Sequence, residues 1–247
     1  MHARTFGRLG AALAGLAVTT MAFAGTAQAA TATISVPDDF DHSLSDTRAN
    51  GHYEVVGTAL HVWTDGAGDI GTDGWNSDKV AEYVDTSAAL ADVGEPTLNL
   101  TTNSGTTPPG FQLVVDFDND GTADGILVGE PTFYGNNWWL NNGADADVKA
   151  NAPHTGGGFG SPYYGTLDEW RAVYPDAVVK AFGFSLGSGV KGDYQINSIE
   201  FNGTTYTFVK SVHLASKDDC KKGGWATSTS PVFKNQGDCV SYFASGK

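Results

Sequence analysis

The sequence predicts a mainly β protein: a jelly-roll-like antiparallel β-sandwich with one short helix, followed by a small disulfide-closed C-terminal module. Three observations carry that prediction. Short apolar or alternating runs recur through residues 30–209, punctuated by Gly, Asn, Asp and Pro, which is the pattern of a sandwich and not of repeated βα units. Asn202-Gly203 separates two of those runs, and Asn-Gly is the strongest short-range hairpin signal. Both cysteines of the 247-residue chain, Cys220 and Cys239, lie close to its C-terminus.

Residues 1–29 read as a secretory signal peptide. His2, Arg4 and Arg8 precede an apolar run over residues 11–24, and Ala27-Gln28-Ala29 supplies small residues for cleavage before Ala30. That run is shorter than the ~20 residues a spanning helix needs, so membrane insertion is not expected and the mature protein is expected outside the cell. Strands follow at residues 32–36, 52–56, 59–64, 97–101, 111–117, 126–128, 138–140, 178–186, 196–201 and 204–209. Between the runs at 138–140 and 178–186, Thr166-Leu-Asp-Glu169 is a capping box that starts a helix of about two turns, stopped by Pro175. Beyond residue 210, an apolar stripe at Val240, Phe243 and Ala244 marks a second short helix over residues 238–244.

Charge divides the mature chain. Net charge is −14 over the whole sequence; residues 30–209 carry −19 and residues 210–247 carry +3. Phosphate backbones require lysine and arginine, so the acidic body argues against nucleic acid as a partner. The break near Lys210 separates a 30–209 domain from a basic 210–247 module. In an exported chain an isolated cysteine pair reads as a disulfide. Zinc is the weaker reading, because no further Cys or His lies between Cys220 and Cys239.

The densest chemistry is Asp116-Phe-Asp118-Asn-Asp120-Gly121-Thr122-Ala-Asp124. Carboxylates fall at relative positions one, three, five and nine, with Gly at six and the Thr122 carbonyl at seven, the front half of an EF-hand calcium loop. Position twelve is Leu127 where a bidentate Glu belongs, and no helix flanks the loop. The reading is therefore a DxDxDG calcium loop set between two strands, with Asp116, Asp118, Asp120, Thr122 and Asp124 as ligands. Period-two alternation puts Phe111, Leu113, Val115 and Phe117 on the core face, and so predicts Asp116 pointing outward. The alternative is a solvated acidic turn.

Aromatic residues supply the second candidate site. Tyr134-Gly-Asn-Asn-Trp138-Trp139 combines flat rings with amides, the ingredients of a small-ligand surface. Adjacent tryptophans on a strand point to opposite faces, so one is core and the other exposed. Tyr163 and Tyr164, in a glycine-rich stretch at 150–165, join them as candidate ligand contacts. Trp63, Trp75 and Trp170 are expected to pack. Two motifs are decoys. Gly183-Phe-Ser185-Leu-Gly187 fits the nucleophile-elbow pattern, with Asp193 and His213 after it, but nothing following Ser185 can form the required helix. The glycines at 156–160 lack the Lys-Ser/Thr pair of a phosphate loop.

The strings "FQLVVDFDNDGTADGILVGEP", "YGNNWWLNNG", "APHTGGGFGSPYYGTLDEW" and "FGFSLGSGVKGDYQINSIEFNGTTYTF" resemble an uncharacterised family of secreted actinobacterial proteins over most of residues 44–209. The segment "CKKGGWATSTSPVFKNQGDCVSYFASGK" resembles a tail shared by various exported bacterial proteins. The resemblance implies export, a β-sandwich body and a tail module, and carries over no catalytic residue. The expected function is a secreted, non-catalytic, calcium-stabilised module for polysaccharide or cell-envelope glycan. Two rivals stand beside it: a glycan hydrolase using the carboxylates from Asp116 to Asp124, and a structural or interaction protein of the cell surface.

Overall fold

The computed structural model describes residues 30–65 and 78–245. Residues 1–29, on which the signal-peptide expectation falls, and the 66–77 stretch with Trp75 lie outside the described residues. In chain order the strands begin β1 (Ala30–Val36), β2 (Gly51–Val56), β3 (Ala59–Thr64), β4 (Val80–Ala89), β5 (Thr97–Gly105), β6 (Gly110–Asp116) and β7 (Gly125–Gly129). They continue with β8 (Asn137–Leu140), β9 (His154–Thr155), β10 (Tyr163–Thr166), β11 (Val178–Leu186), β12 (Gly192–Phe201) and β13 (Thr204–Lys210). Helices α1 (Pro131–Tyr134), α2 (Ala146–Ala150) and α3 (Leu167–Val173) interrupt the second half, and α4 (Gln236–Ala244) closes the tail.

The strands form two sheets, as the sequence predicts. One is six-stranded, ordered β1-β13-β12-β3-β2 with β5 also paired to β12; the other is seven-stranded, ordered β4-β11-β6-β7-β8-β10-β9. All pairings are antiparallel except β1 with β13, which run parallel in register from Ala30 opposite Thr204. The antiparallel sandwich is therefore found as expected, with one parallel pair at the edge of the six-stranded sheet. Between the sheets lies a single apolar core, in which Leu60, Val62, Ile196 and Phe208 of the first meet Leu113, Leu127, Phe182 and Phe184 of the second. Asn202 and Gly203 take φ of 49° and 70° at the β12–β13 turn. Both lie in the left-handed region that a two-residue hairpin turn requires.

Several elements depart from the sequence reading. The body has three short helices where one was expected: α3, with its full Thr166–Glu169 capping box, and the unexpected α1 and α2. The first half of strand β4 shows no alternation, since Val80, Ala81, Glu82 and Tyr83 are all buried. Residues 41–48 run along its edge, with Asp41 N–H donating to the Tyr83 carbonyl at 2.8 Å and Asp46 N–H to that of Ala81 at 2.9 Å. The Glu82 carboxylate accepts the hydroxyls of Ser45 and Thr47, which is how a buried acid is tolerated. Strand β6 is likewise buried on both faces, since Val114 packs with Ala81, Tyr83 and Ala181 under Leu44.

In the tail, Cys220 and Cys239 form a disulfide, and both are buried with Phe233 in a cluster flanked by Leu214, Trp225 and Val240. None of these residues belongs to the main core. Helix α4 starts two residues earlier than expected, where the Asn235 side chain accepts the N–H of Asp238 at 2.9 Å. The bridge spans 19 residues, so its chain-entropy contribution is about 3 kcal/mol. Reduction is expected to open residues 211–245 to protease while residues 30–209 stay intact, as limited digestion with and without dithiothreitol would read. Among the described residues, no helix is long and apolar enough to cross a membrane.

Candidate metal centre and aromatic surface

Strand β6 ends at Asp116 and β7 begins at Gly125, so the acidic loop is the connection of a hairpin in the middle of the seven-stranded sheet. Asp116 does not point outward into water as expected. It is 1% exposed, because both faces of β6 are covered. Its two oxygens accept backbone donors from its own loop: Asp120 N–H at 3.1 Å and Gly121 N–H at 2.9 Å. Asp118 Oδ1 also accepts the Asp120 N–H, at 3.1 Å, and Asp120 Oδ1 accepts the Thr122 N–H at 2.7 Å. Gly121 has φ of +102°, a conformation that L side chains avoid, and the sequence places glycine there.

These contacts gather three carboxylates. Asp116, Asp118 and Asp120 each bring an oxygen within 4.8 Å of the others, so the group can hold a metal ion. The donor set fits a hard cation. It is all oxygen, and each carboxylate oxygen has two lone pairs, of which a backbone N–H takes only one. Oδ2 of Asp118 and Oδ2 of Asp120 accept none of these N–H groups. Asp124, the fourth predicted carboxylate, stands outside the three-membered group and braces the loop base, where its Oδ2 accepts the Phe117 N–H at 2.6 Å. Burial raises the Asp124 carboxyl pKa; the Phe117 N–H opposes this, and the charges of Asp118 and Asp116 add to it. Thr122 enters the loop through its N–H.

Three residues along β7 from the loop, the sheet carries its aromatic surface. Val128 pairs with Trp139, Trp139 with Tyr164, and Tyr164 with His154. Paired residues share a face, so these side chains form one row on the outer side. Phe159 stacks on Tyr164 with centroids 3.8 Å apart, Tyr134 meets Phe159 at 5.2 Å, and His154 stacks on Tyr164 at 5.3 Å. Trp139, Tyr164, Phe159 and Tyr134 are each half-buried, and His154 is exposed. The Trp139 indole N–H donates to Glu130 Oε2 at 2.9 Å, and His154 Nε2 lies 2.8 Å from Glu169 Oε1.

The expected division of the tryptophans holds, with a consequence for the candidate contacts. Trp138 is the core member, 5% exposed and edge-on to Phe111, so it leaves the outer surface. Tyr163 leaves it too. It sits two residues before Gly165, the partner of Trp138, and packs against the core. Phe159 and His154, from the same glycine-rich 150–165 stretch, take their places. Trp170 is fully buried as expected. Trp63 is not simply packed: it is half-exposed on the other sheet, stacked on His61 at 4.4 Å and His52 at 5.0 Å. The nucleophile elbow remains a decoy. Ser185 is buried in β11, Asp193 pairs with His61 at 2.8 Å, and His213 pairs with Asp38 at 3.0 Å.

Comparison of the chain with protein-family models, curated proteins and solved structures returns no match.

Burial raises the pKa of Glu130, with the Trp139 N–H opposing the shift. A carboxyl raised on folding destabilises the folded state when ionised. That penalty is absent below the ordinary value of 4.5, grows as pH rises through the shifted pKa, and is complete at neutrality. Glu130→Gln keeps an acceptor for the indole N–H and removes the charge. The variant is expected to melt above wild type at about pH 7 and together with it at about pH 4, as paired thermal scans would show.

Proposed function

We propose that this protein is a secreted, non-catalytic β-sandwich module that binds polysaccharide or cell-envelope glycan through the outer face at Trp139 and Tyr164. The row of half-exposed rings at Trp139, Tyr164, Phe159 and Tyr134 carries the reading. Flat rings stack on the apolar faces of sugars, and polar groups around aromatic walls give such sites their orientation. Here the side chains of His154, Glu169 and Glu130 border the rings. In this reading Ca²⁺ is the ion of the Asp116, Asp118 and Asp120 group, supported by its all-oxygen donors and its glycine at the sixth position. The ion would stiffen the β6–β7 hairpin from which the Trp139 row is hung. Lys221, Lys222 and Lys234 of the basic tail would add screened attraction to anionic wall polymers.

The hydrolase reading is less well supported, because both oxygens of Asp116 are already bound to backbone N–H groups. The test is retention of the mature protein on a panel of insoluble polysaccharides and cell-wall preparations, with soluble sugar release measured alongside. Retention without release, lost in Tyr164→Ala and kept in Trp63→Ala, is the expected result. Sugar release abolished by Asp118→Asn would establish the enzyme instead. Capture of a protein partner with no glycan retention would establish the interaction role.

A further inference from the structure

A second concave feature lies on the inner side of the strand that carries Trp138. Strand β5 is an edge strand, paired only with β12, and it stands over the inner face of β6, β7 and β8. Between them is a cavity of about 360 Å³. Leu98 and Leu100 of β5 form one wall, and Phe111 and Trp138 form the other. Trp138 lies flat against Gly129, where an added Cβ would come within 2.9 Å of its ring, so the glycine sets the floor. Phe133 of α1 stands at the mouth, 51% exposed. Four prolines border the space, each with its own φ fixed by the ring.

Size and charge narrow the occupant. A dry cavity of ~150 Å³ accepts benzene, and small-ligand sites start at roughly 300 Å³, so this space suits one or two rings. The ionisable side chains lining it are Glu95 and Glu130, with no lysine, arginine or histidine among the lining residues. Glu95 is paired with Arg171 at 3.2 Å, whereas Glu130 has no cationic partner among the described residues. An anionic ligand would therefore be repelled. Only Oε2 of Glu130 is engaged, by the Trp139 N–H, which leaves Oε1 to accept a hydroxyl.

We propose that this cavity binds a neutral molecule of one or two rings bearing a hydroxyl group, its ring against Trp138 and Phe133 and its hydroxyl donating to Glu130. The cavity lies on the other side of β8 from the proposed glycan surface, and Glu130, whose Oε2 accepts the Trp139 N–H, is the residue that touches both. The probe is 2-naphthol, titrated calorimetrically into the mature protein beside the isosteric anion 2-naphthoate. Saturable one-to-one binding of 2-naphthol, at least tenfold tighter than 2-naphthoate, is expected. Leu98→Trp fills the space and should weaken 2-naphthol binding at least tenfold while leaving glycan retention unchanged. Should Leu98→Trp fail to fold, Leu100→Trp makes the same test from the same face of β5. Absence of saturable 2-naphthol binding, equal affinity for the anion, or undiminished binding in a folded tryptophan variant would overturn the proposal.

Discussion

Alanine in place of Trp138 is expected to destabilise the protein by about 3–5 kcal/mol, the range for deleting a fully buried large ring. Alanine in place of its neighbour Trp139 is expected to remove only about 1–2 kcal/mol, because part of that ring is already in water. The contrast follows from one residue of register. Trp138 packs on Gly129 and Phe111 inside the sandwich, and its carbonyl accepts the Trp170 indole N–H at 3.1 Å. Trp139 lies on the outer face over Gly160, where a Cβ would come within 2.4 Å of the indole. Function is expected to divide the opposite way. Trp139→Ala should lose glycan retention at least tenfold, about 1.4 kcal/mol, and Trp138→Phe should keep it. Chemical denaturation and pull-down on the same variants check both halves. Equal stability losses for the two alanine variants would show that the assignment of faces is wrong.

Substitution in the acidic loop is expected to separate architecture from ion binding. Asp116→Ala removes the acceptor for the N–H groups of Asp120 and Gly121. The Asp120 N–H keeps Asp118 Oδ1 as an acceptor, but losing the Gly121 hydrogen bond to a charged carboxylate costs about 1.5–3 kcal/mol, so the variant should be destabilised with or without a metal. Asp118→Asn is different, because Asp118 is exposed and an asparagine oxygen can still accept the Asp120 N–H. It should fold normally and lose only its response to the ion. Extracellular sites bind Ca²⁺ with Kd around 10⁻⁴–10⁻³ M, so about 5 mM ion would stabilise wild type by about 1–2 kcal/mol. That is about 3–8 °C in melting temperature for a chain of this size. Melting curves with added Ca²⁺ and with chelator should show this shift in wild type and not in Asp118→Asn.

The sandwich could be read from the sequence because its strands are short, β-branched or aromatic, and bounded by turn residues such as Asn202-Gly203. Strand β4 escaped for a physical reason. Period-two reasoning assumes that one face is wet, whereas Val80 to Tyr83 are covered by the sheet core on one side and by residues 41–48 on the other. The same assumption misplaced Asp116, which is buried with both carboxylate oxygens turned to the N–H groups of its own loop. Helix α1 had a signal that went unused, a proline in its first turn after Glu130. Within the aromatic surface, Trp139, Tyr164 and Tyr134 of the candidate contacts lie together in the row. Tyr163 was not separated from Tyr164, although two-residue arithmetic from the strand would have done so. Phe159 and His154 could not be found this way, because only the β9–β10 pairing brings them to the row. The cavity under β5 had no local signal, since its two walls come from different sheets.

Indole N–H resonances give the most direct test of the recognition surface, because the chain has six tryptophans and each can be assigned by single substitution. On titration with a soluble oligosaccharide of whichever glycan retains the protein, the Trp139 resonance is expected to shift and saturate. Those of Trp138 and Trp170 should stay in place. A titration that moves Trp63 or Trp225 and leaves Trp139 unchanged would contradict the account, and would put the recognition surface on the other sheet or in the tail.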